Sequence, residues 1–168
     1  MRCLIIDDDD SPRVLMERLV ARAGHRVTGC SSPMAGLQAA TMSPYDIAIV
    51  DMEMPGMDGA ALIGELRRVM PEIRVLVVSG YGDRNHVMAA IEAGADGYIL
   101  KDELSESLAD SLQEVRAGHT PLSPRVARLM LARLRQTMNT KSVGTGSHPA
   151  IKDPTRETQP LGKIKKPD

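Results

Sequence analysis

The chain has 168 residues, of which 42% are hydrophobic and 26% charged, as in a soluble globular domain with an additional segment. Its net charge of −1 and its lack of Trp and Phe argue against a polyanion-binding protein that stacks bases on aromatic side chains. No apolar run approaches the roughly 18 residues of a membrane span or forms a signal peptide, and two cysteines make no disulfide scaffold, so we expect a cytoplasmic protein.

Five short apolar runs alternate with five helical patterns along the first 120 residues. The third run, residues 45–50, is nearly continuous in apolar character, which is typical of a strand covered on both faces. Strictly alternating strands and helices predict an α/β fold, a doubly wound five-stranded parallel sheet with helices on both faces. The predicted strands occupy about residues 3–6, 26–30, 45–50, 74–78 and 97–100.

Serine, proline and glycine mark the ends of the predicted helices. Ser11-Pro12 and Ser32-Pro33 each offer a capping hydroxyl followed by a proline suited to the first turn. Glycine is a favoured residue just beyond a helix, as at Gly24. The predicted helices end at about residues 23, 42, 70, 94 and 117.

Polar side chains follow four of the strands, at the edge where ligands bind in open α/β sheets. Asp7 and Asp8 follow the first strand, Asp51 the third, Ser79 the fourth and Lys101 the fifth. Clustered carboxylates repel one another, and Mg²⁺ bound by oxygen ligands relieves that repulsion. The lysine is the only one among the first 140 residues, and its compact charge could neutralise an added anion. This constellation suits phosphoryl transfer to a carboxylate.

The order and spacing of these pieces resemble the receiver domain of bacterial two-component response regulators. The resemblance covers about residues 1–120 and implies a flavodoxin- or CheY-like (βα)5 fold with strand order 2-1-3-4-5. It rests on Ile6-Asp7-Asp8, on residues 46–51 and 54–59, on Val77-Val78-Ser79-Gly80 and on residues 94–101.

The resemblance implies a role for each residue of the constellation. Asp51 would be the phosphoacceptor, and Ser79 and Lys101 would hold the phosphoryl oxygens. Tyr98 would be a switch aromatic that swings inward as the Ser79 loop moves. Glu53 and Tyr81 stand at variable positions that tune the lifetime of the acyl phosphate. The implied Mg²⁺ site consists of Asp7, Asp8, Asp51 and the backbone carbonyl of Glu53, with Asp7 acting mainly through a metal-bound water.

One assignment stays open at this point. Four acidic residues follow the first strand, where the family usually shows two. The acidic pair is therefore Asp7 and Asp8, or, shifted by one residue, Asp8 and Asp9.

The implied function is phosphorelay signalling rather than catalysis on a separate substrate. A sensor histidine kinase or phosphotransfer protein would phosphorylate Asp51. The modified chain, assisting only its own phosphorylation and dephosphorylation, would then use the face formed by residues 84–117 to bind a partner or to form a homodimer.

The segment after residue 120 departs from the pattern. Lys101-Asp102 and residues 122–130 resemble the NarL/FixJ-type subfamily, which carries a LuxR-type helix-turn-helix domain. Residues 121–138 predict an amphipathic linker helix to about residue 136, with Ser123 as its cap. Residues 139–168 carry six basic and three acidic side chains and read as a disordered tail without a recognition helix. DNA binding is not expected; the alternative is a truncated or frame-shifted DNA-binding regulator.

Two other functional classes fit less well. A phosphatase of the haloacid dehalogenase type would need Asp-x-Asp-Gly after the first strand, and residues 7–11 lack the glycine. A flavodoxin-like flavin binder would need a phosphate-binding loop there, where four aspartates would repel the phosphate.

Overall fold

The computed structural model describes residues 1–142, so residues 143–168 of the predicted tail lie outside the described part. Its five strands form one parallel sheet in the order β2-β1-β3-β4-β5, which confirms the predicted fold. The strands are β1 (Arg2–Ile6), β2 (Arg26–Cys30), β3 (Ile47–Val50), β4 (Arg74–Ser79) and β5 (Gly97–Leu100). The helices are α1 (Asp10–Arg22), α2 (Pro33–Met42), α3 (Gly59–Val69), α4 (Arg84–Glu92), α5 (Leu104–Arg116) and α6 (Pro124–Ser142).

Two apolar layers cover the two faces of the sheet. On one face α2, α3 and α4 pack against alternate residues of the central strands, with Leu62, Ile63 and Leu66 of α3 fully buried. On the other face α1 and α5 bury residues such as Met16 and Leu112. The aliphatic side chains of β3 and β4 are buried on both sides of the sheet, as the continuous apolar run predicted for β3.

The start of α1 differs from the prediction. Ser11 does not cap the helix, because the carboxylate of Asp9 accepts a hydrogen bond from the Ser11 backbone N–H at 3.0 Å and makes Asp9 the N-cap. The helix consequently begins at Asp10, one residue before that serine. An aspartate is as good a cap as a serine, and the acidic run offered several.

The third strand is shorter than predicted, since it begins at Ile47 rather than residue 45. Asp46 lies just before it and joins β3 to β1, because the Arg2 backbone N–H donates to the Asp46 carboxylate at 2.6 Å. In return, the Asp46 backbone N–H donates to the Arg2 carbonyl at 2.9 Å.

The segment Pro121–Ser123 adds a short parallel extension beside β5. The Tyr98 backbone N–H donates to the Pro121 carbonyl at 2.9 Å, and the Ser123 N–H donates to the Tyr98 carbonyl at 3.0 Å. The Ser123 hydroxyl accepts from the Leu100 N–H at 3.1 Å. Ser123 also directly precedes α6, and its carbonyl accepts from the Ala127 N–H at 2.9 Å. Val126, fully buried, then fastens the first turns of α6 to the layer that contains Tyr98.

Helix α6 continues beyond that contact and crosses the predicted boundary at residue 138. Leu131, Leu134 and Met138 are exposed along it. None of the helices within residues 1–142 is long and apolar enough to cross a membrane.

The two cysteines are buried free thiols. Although β1 and β2 are neighbours, Cys3 pairs in register with Val27 and Ile6 with Cys30, so the thiols lie three residues apart along the strands. That offset is about 10 Å, which is too far for a disulfide without backbone movement. Burial raises the pKa of Cys3 to about 11, which keeps it protonated and unreactive.

Candidate functional site

The side chains at the carboxyl ends of β1, β3 and β5 converge on one ammonium group. Lys101 Nζ donates to Asp51 Oδ2 at 3.0 Å and lies 2.9 Å from Asp7 Oδ2. Asp7 is fully buried and Asp51 is 5% exposed, so both carboxylates depend on this partner. The three residues were predicted to meet from their positions after three separate strands.

Asp7, Asp8 and Asp51 each place a carboxylate oxygen within 4.8 Å of the others. Asp9 takes no part, since its carboxylate caps α1. The structure thus favours the Asp7/Asp8 pairing over the shifted one. Asp7 Oδ1 accepts from the Asp9 N–H at 2.9 Å, while Asp7 Oδ2 has no hydrogen bond of good geometry despite its closeness to Lys101.

This group of oxygens fits a divalent cation. Three carboxylates and one ammonium leave excess negative charge, and Asp7 Oδ2 is a buried oxygen with unused acceptor capacity. Hard oxygen ligands, one of them on the exposed Asp8, suit Mg²⁺, which binds through a few carboxylates and keeps several waters.

The pKa of Asp51 reflects its burial and the other charges at this site. Burial raises the pKa of the Asp51 carboxyl, and the charge of Asp7 adds to that effect, although Lys101 and a hydrogen bond from the Glu53 backbone oppose it. Burial by itself would lower the pKa of Lys101, but Asp7 and Asp51 outweigh burial and raise it. The lysine is therefore a fixed positive charge beside the candidate nucleophile.

Gly59 allows the loop after Asp51 to close tightly. A Cβ at Gly59, the first residue of α3, would lie 2.6 Å from the Met52 Cα and 2.7 Å from the Asp51 carbonyl oxygen. The Gly59 N–H donates to the Met52 carbonyl at 3.0 Å. The start of α3 thus packs directly against the backbone that carries Asp51.

Ser79 ends β4 and is fully buried. Its hydroxyl accepts from the Tyr81 N–H at 3.2 Å. Tyr98 is also fully buried, and its hydroxyl donates to the Tyr81 carbonyl at 2.5 Å. The switch aromatic implied by the resemblance therefore points inward and is joined to the loop that follows Ser79.

A second cluster, which sequence reasoning missed, lies beside the site. His86 Nδ1 lies 2.5 Å from Asp83 Oδ2 and His86 Nε2 lies 3.0 Å from Glu53 Oε1. The Tyr81 ring stacks on the imidazole, with centroids 5.0 Å apart. Burial alone would lower the pKa of His86, but Asp83 and Glu53 outweigh burial and raise it. The spacing of Asp83 and His86, three residues apart at the start of a helix, could have predicted their contact. The contact between His86 and Glu53 joins residues far apart in sequence, so no local pattern predicts it.

The amino-acid sequence is similar to a family of known proteins. Residues 3–113 match the family model described as the response regulator receiver domain. The chain is 33% identical over 134 residues to the nitrate/nitrite response regulator protein NarL of Escherichia coli strain K12, covering 79% of this chain and 62% of NarL. It is 31% identical over 139 residues to the transcriptional regulatory protein LiaR of Bacillus subtilis strain 168, covering 82% of this chain and 66% of LiaR.

A solved structure agrees in fold. The crystal structure of a LuxR-family two-component response regulator from Aurantimonas sp. SI85-9A1 superposes with a TM-score of 0.74 at 24% identity, covering 79% of this chain and 97% of that one. This chain thus spans slightly less than two thirds of the length of NarL and of LiaR.

Proposed function

This chain belongs to the response regulator receiver domain family, and on that premise we propose that it is a phosphorelay protein phosphorylated on Asp51. The donor would be a sensor histidine kinase or a phosphotransfer protein. Receiver domains are regulatory phosphoacceptors, so the chain would assist only its own phosphorylation and dephosphorylation. The observation that carries the proposal is the shared contact of Lys101 with Asp51 and Asp7 beside the exposed Asp8.

In the proposed reaction an oxygen of Asp51 attacks the phosphorus of a phosphohistidine. A P–O bond forms to Asp51, the P–N bond breaks, and the imidazole leaves. Lys101 already lies against the attacking carboxylate and would pair with the incoming oxygens. The hydroxyl of Ser79 would donate a hydrogen bond to another oxygen of the phosphoryl group. Mg²⁺, held by Asp7, Asp8, Asp51 and the backbone carbonyl of Glu53, would supply charge neutralisation when bound.

The proposed response is a shift between two arrangements of the loop after Ser79. Ser79 and Tyr98 both bond to Tyr81, one to its N–H and the other to its carbonyl. Recruitment of Ser79 to a phosphoryl group would therefore pull on Tyr81 and, through it, on Tyr98. This linkage supports a pre-existing equilibrium that phosphorylation biases.

The proposed output surface is the face formed by residues 84–117, through which the chain would bind a partner or form a homodimer. The extension Pro121–Ser123 and Val126 lie against the β5 part of this face. The exposed sides of α4 and α5 are the parts that stay open for a partner. No role in DNA binding is proposed for the described residues.

A second candidate function rests on the length comparison. Both NarL and LiaR extend well beyond the region shared with this chain, and the printed name of LiaR is that of a transcriptional regulator. The chain would then be the receiver part of a truncated or frame-shifted DNA-binding regulator. Salt-sensitive binding of this chain to DNA would favour that alternative.

The test of the proposed function is intact-protein mass spectrometry after incubation with Mg²⁺ and phosphoramidate. Wild type should gain the mass of one phosphoryl group, and Asp51→Asn should gain none. Removal of Mg²⁺ with a chelator should abolish the gain in wild type. No gain in folded wild type, or an equal gain in Asp51→Asn, would overturn the proposal.

A further inference from the structure

We propose that His86 is a positioning residue that sets the lifetime of the phosphorylated state by holding the Glu53 side chain beside the phosphorylation site. The inference rests on the proposed function, because it concerns the acyl phosphate on Asp51. It depends on one imidazole that joins two loops, the one after β3 and the one after β4.

Both ring nitrogens of His86 are occupied by carboxylates from different parts of the chain. Nδ1 lies 2.5 Å from Asp83 Oδ2, within the first turn of α4. Nε2 lies 3.0 Å from Glu53 Oε1, which is 33 residues away in sequence. With one nitrogen fixed to the start of α4, the ring can present the other only in one direction, toward Glu53.

Tyr81 completes the cluster. Its ring stacks on the imidazole, with planes inclined by 22°. The negative charge of Glu53 raises the pKa of Tyr81. The carboxylate of Glu53 is held by the imidazole, and the Tyr81 ring supports the imidazole by stacking on it.

Each loop joined by His86 also holds a group of the phosphorylation site. Glu53 follows Asp51 by two residues, and the Tyr81 N–H donates to Ser79 Oγ at 3.2 Å. The Glu53 and Tyr81 side chains are partly exposed, whereas Asp51 below them is 5% exposed. Because Glu53 and Tyr81 follow Asp51 and Ser79 by two residues each, the cluster Glu53–Tyr81–His86 borders the phosphorylation site on its exposed side.

Hydrolysis of the acyl phosphate needs water beside Asp51. A water oxygen attacks phosphorus, the P–O bond to Asp51 breaks, and Asp51 leaves as a carboxylate. The water proton passes to solvent and inorganic phosphate is released. A Glu53 carboxylate fixed to His86 restricts the approach of water and cannot swing in to accept that proton. Loss of His86 frees the carboxylate and loosens the contact between the two loops.

The fold does not depend on the imidazole. Asp83 caps α4 through the Asn85 backbone N–H at 2.9 Å, a bond that stays when His86 is replaced. The His86 side chain is 32% exposed, so its removal leaves no closed cavity. His86→Ala should consequently fold, and a structural collapse would not mimic the proposed effect.

The experiment measures loss of the phosphoryl group from protein phosphorylated with phosphoramidate and then freed of the donor. Wild type, His86→Ala and His86→Gln would be compared. His119→Ala, which removes an exposed histidine outside the cluster, is the matched control. We expect hydrolysis about tenfold faster in His86→Ala, the effect of losing one hydrogen bond to a charged group. His119→Ala should match wild type, and His86→Gln should recover part of the lifetime.

A double-mutant cycle identifies the route of the effect. Glu53→Ala should itself change the lifetime, and adding His86→Ala to it should change the rate little further, because His86 acts through Glu53. Equal lifetimes in wild type and His86→Ala, or an undiminished effect of His86→Ala in the Glu53→Ala background, would overturn the inference alone. Wild type that takes up no phosphoryl group would overturn the proposed function and this inference with it.

Discussion

Lys101 donates to Asp51 across an intervening strand. Nζ lies 3.0 Å from Oδ2, although Lys101 follows β5, Asp51 follows β3, and β4 lies between them. Neighbouring strands are about 4.8 Å apart, so the two side chains together span nearly two strand spacings. A lysine side chain is long and ends in a compact charge, so it can span this distance. This gives a structural reason for a lysine at position 101, although every other basic residue except histidine among the first 140 residues is an arginine.

Replacement of Lys101 should separate charge from geometry. Lys101→Ala leaves the buried carboxylates of Asp7 and Asp51 without their cation, and we expect a loss of about 3 kcal/mol in the free energy of unfolding. Lys101→Arg keeps the charge and should lose less stability. Both variants should be phosphorylated more slowly than wild type. Urea denaturation without Mg²⁺ measures the first effect, and equal stability of Lys101→Ala and wild type would contradict it.

Asp51→Asn should be more stable than wild type when Mg²⁺ is absent. Burial and Asp7 disfavour the charged form of Asp51, and the amide removes that cost while keeping the shape. Because the folded-state pKa is raised, the cost is present at neutral pH, where the carboxyl is ionised. Millimolar Mg²⁺ should narrow the difference, since the cation stabilises the wild-type cluster more. Thermal unfolding with and without Mg²⁺ checks both parts; a gap unchanged by Mg²⁺ would contradict the cation site.

Gly59→Ala should strain the loop that carries Asp51. The added methyl would meet backbone atoms of Asp51 and Met52, which cannot rotate away, so we expect a loss of about 2 kcal/mol and slower phosphorylation. Gly64→Ala is the matched control in the same helix. Its methyl would meet nothing within 4 Å, and it should gain about 0.5–1 kcal/mol from helix propensity. Urea midpoints of the two variants should therefore move in opposite directions.

Ser123→Ala should weaken the attachment of α6. It leaves the buried Leu100 N–H without its acceptor, at a cost of about 1–3 kcal/mol. Ser105→Ala, on the exposed side of α5, should change stability by less than about 0.5 kcal/mol. Amide hydrogen exchange offers a local measurement, since Leu100 should lose protection. If Ser105→Ala and Ser123→Ala behaved alike, the hydrogen bond would have no energetic role.

His25 should make the fold sensitive to mild acid. Burial lowers the pKa of His25, and the nearby Met1 amino group and Arg116 add to that effect. A lowered folded-state pKa means that the unfolded chain binds the proton more readily. Wild type should therefore lose stability relative to His25→Gln as pH falls below about 6.5. Urea midpoints at neutral and mildly acidic pH test this, with the exposed His119→Gln expected to follow wild type.

The sheet and its functional edge could be predicted from the sequence because both depend on local patterns. An apolar run followed by Asp51 or Lys101 shows where a strand ends, and parallel strands bring their carboxyl ends together. The bounds of β2 and β5 and the end of α2 match the predicted ones for the same reason. The positions of Asp7, Asp51 and Lys101 needed no knowledge of side-chain conformation.

The helix caps and the side-chain hydrogen bonds could not be predicted in the same way, because several groups compete for each partner and a sequence pattern does not show which one binds. Ser11 and Asp9 are both good caps, and only packing decided between them. Ser123 has the sequence context of a cap, yet its hydroxyl serves the Leu100 N–H on another element. Glu53 and His86 are joined by a long-range contact that no local spacing encodes. Their conformations depend on tertiary contacts and could not be predicted locally.

The extension Pro121–Ser123 has a consequence for where this domain can be cut. An unpaired outer strand presents free N–H and carbonyl groups to other chains and promotes aggregation. Here the backbone of Tyr98 bonds to residues beyond α5, and a methyl at Gly97 would lie 2.9 Å from the Pro121 ring. A fragment that ended at residue 120 would contain all five strands, but the outer edge of β5 would be unpaired. The shortest fragment that folds without aggregating should therefore include Val126. The first turn of α6 is part of the folded domain and not of an interdomain linker.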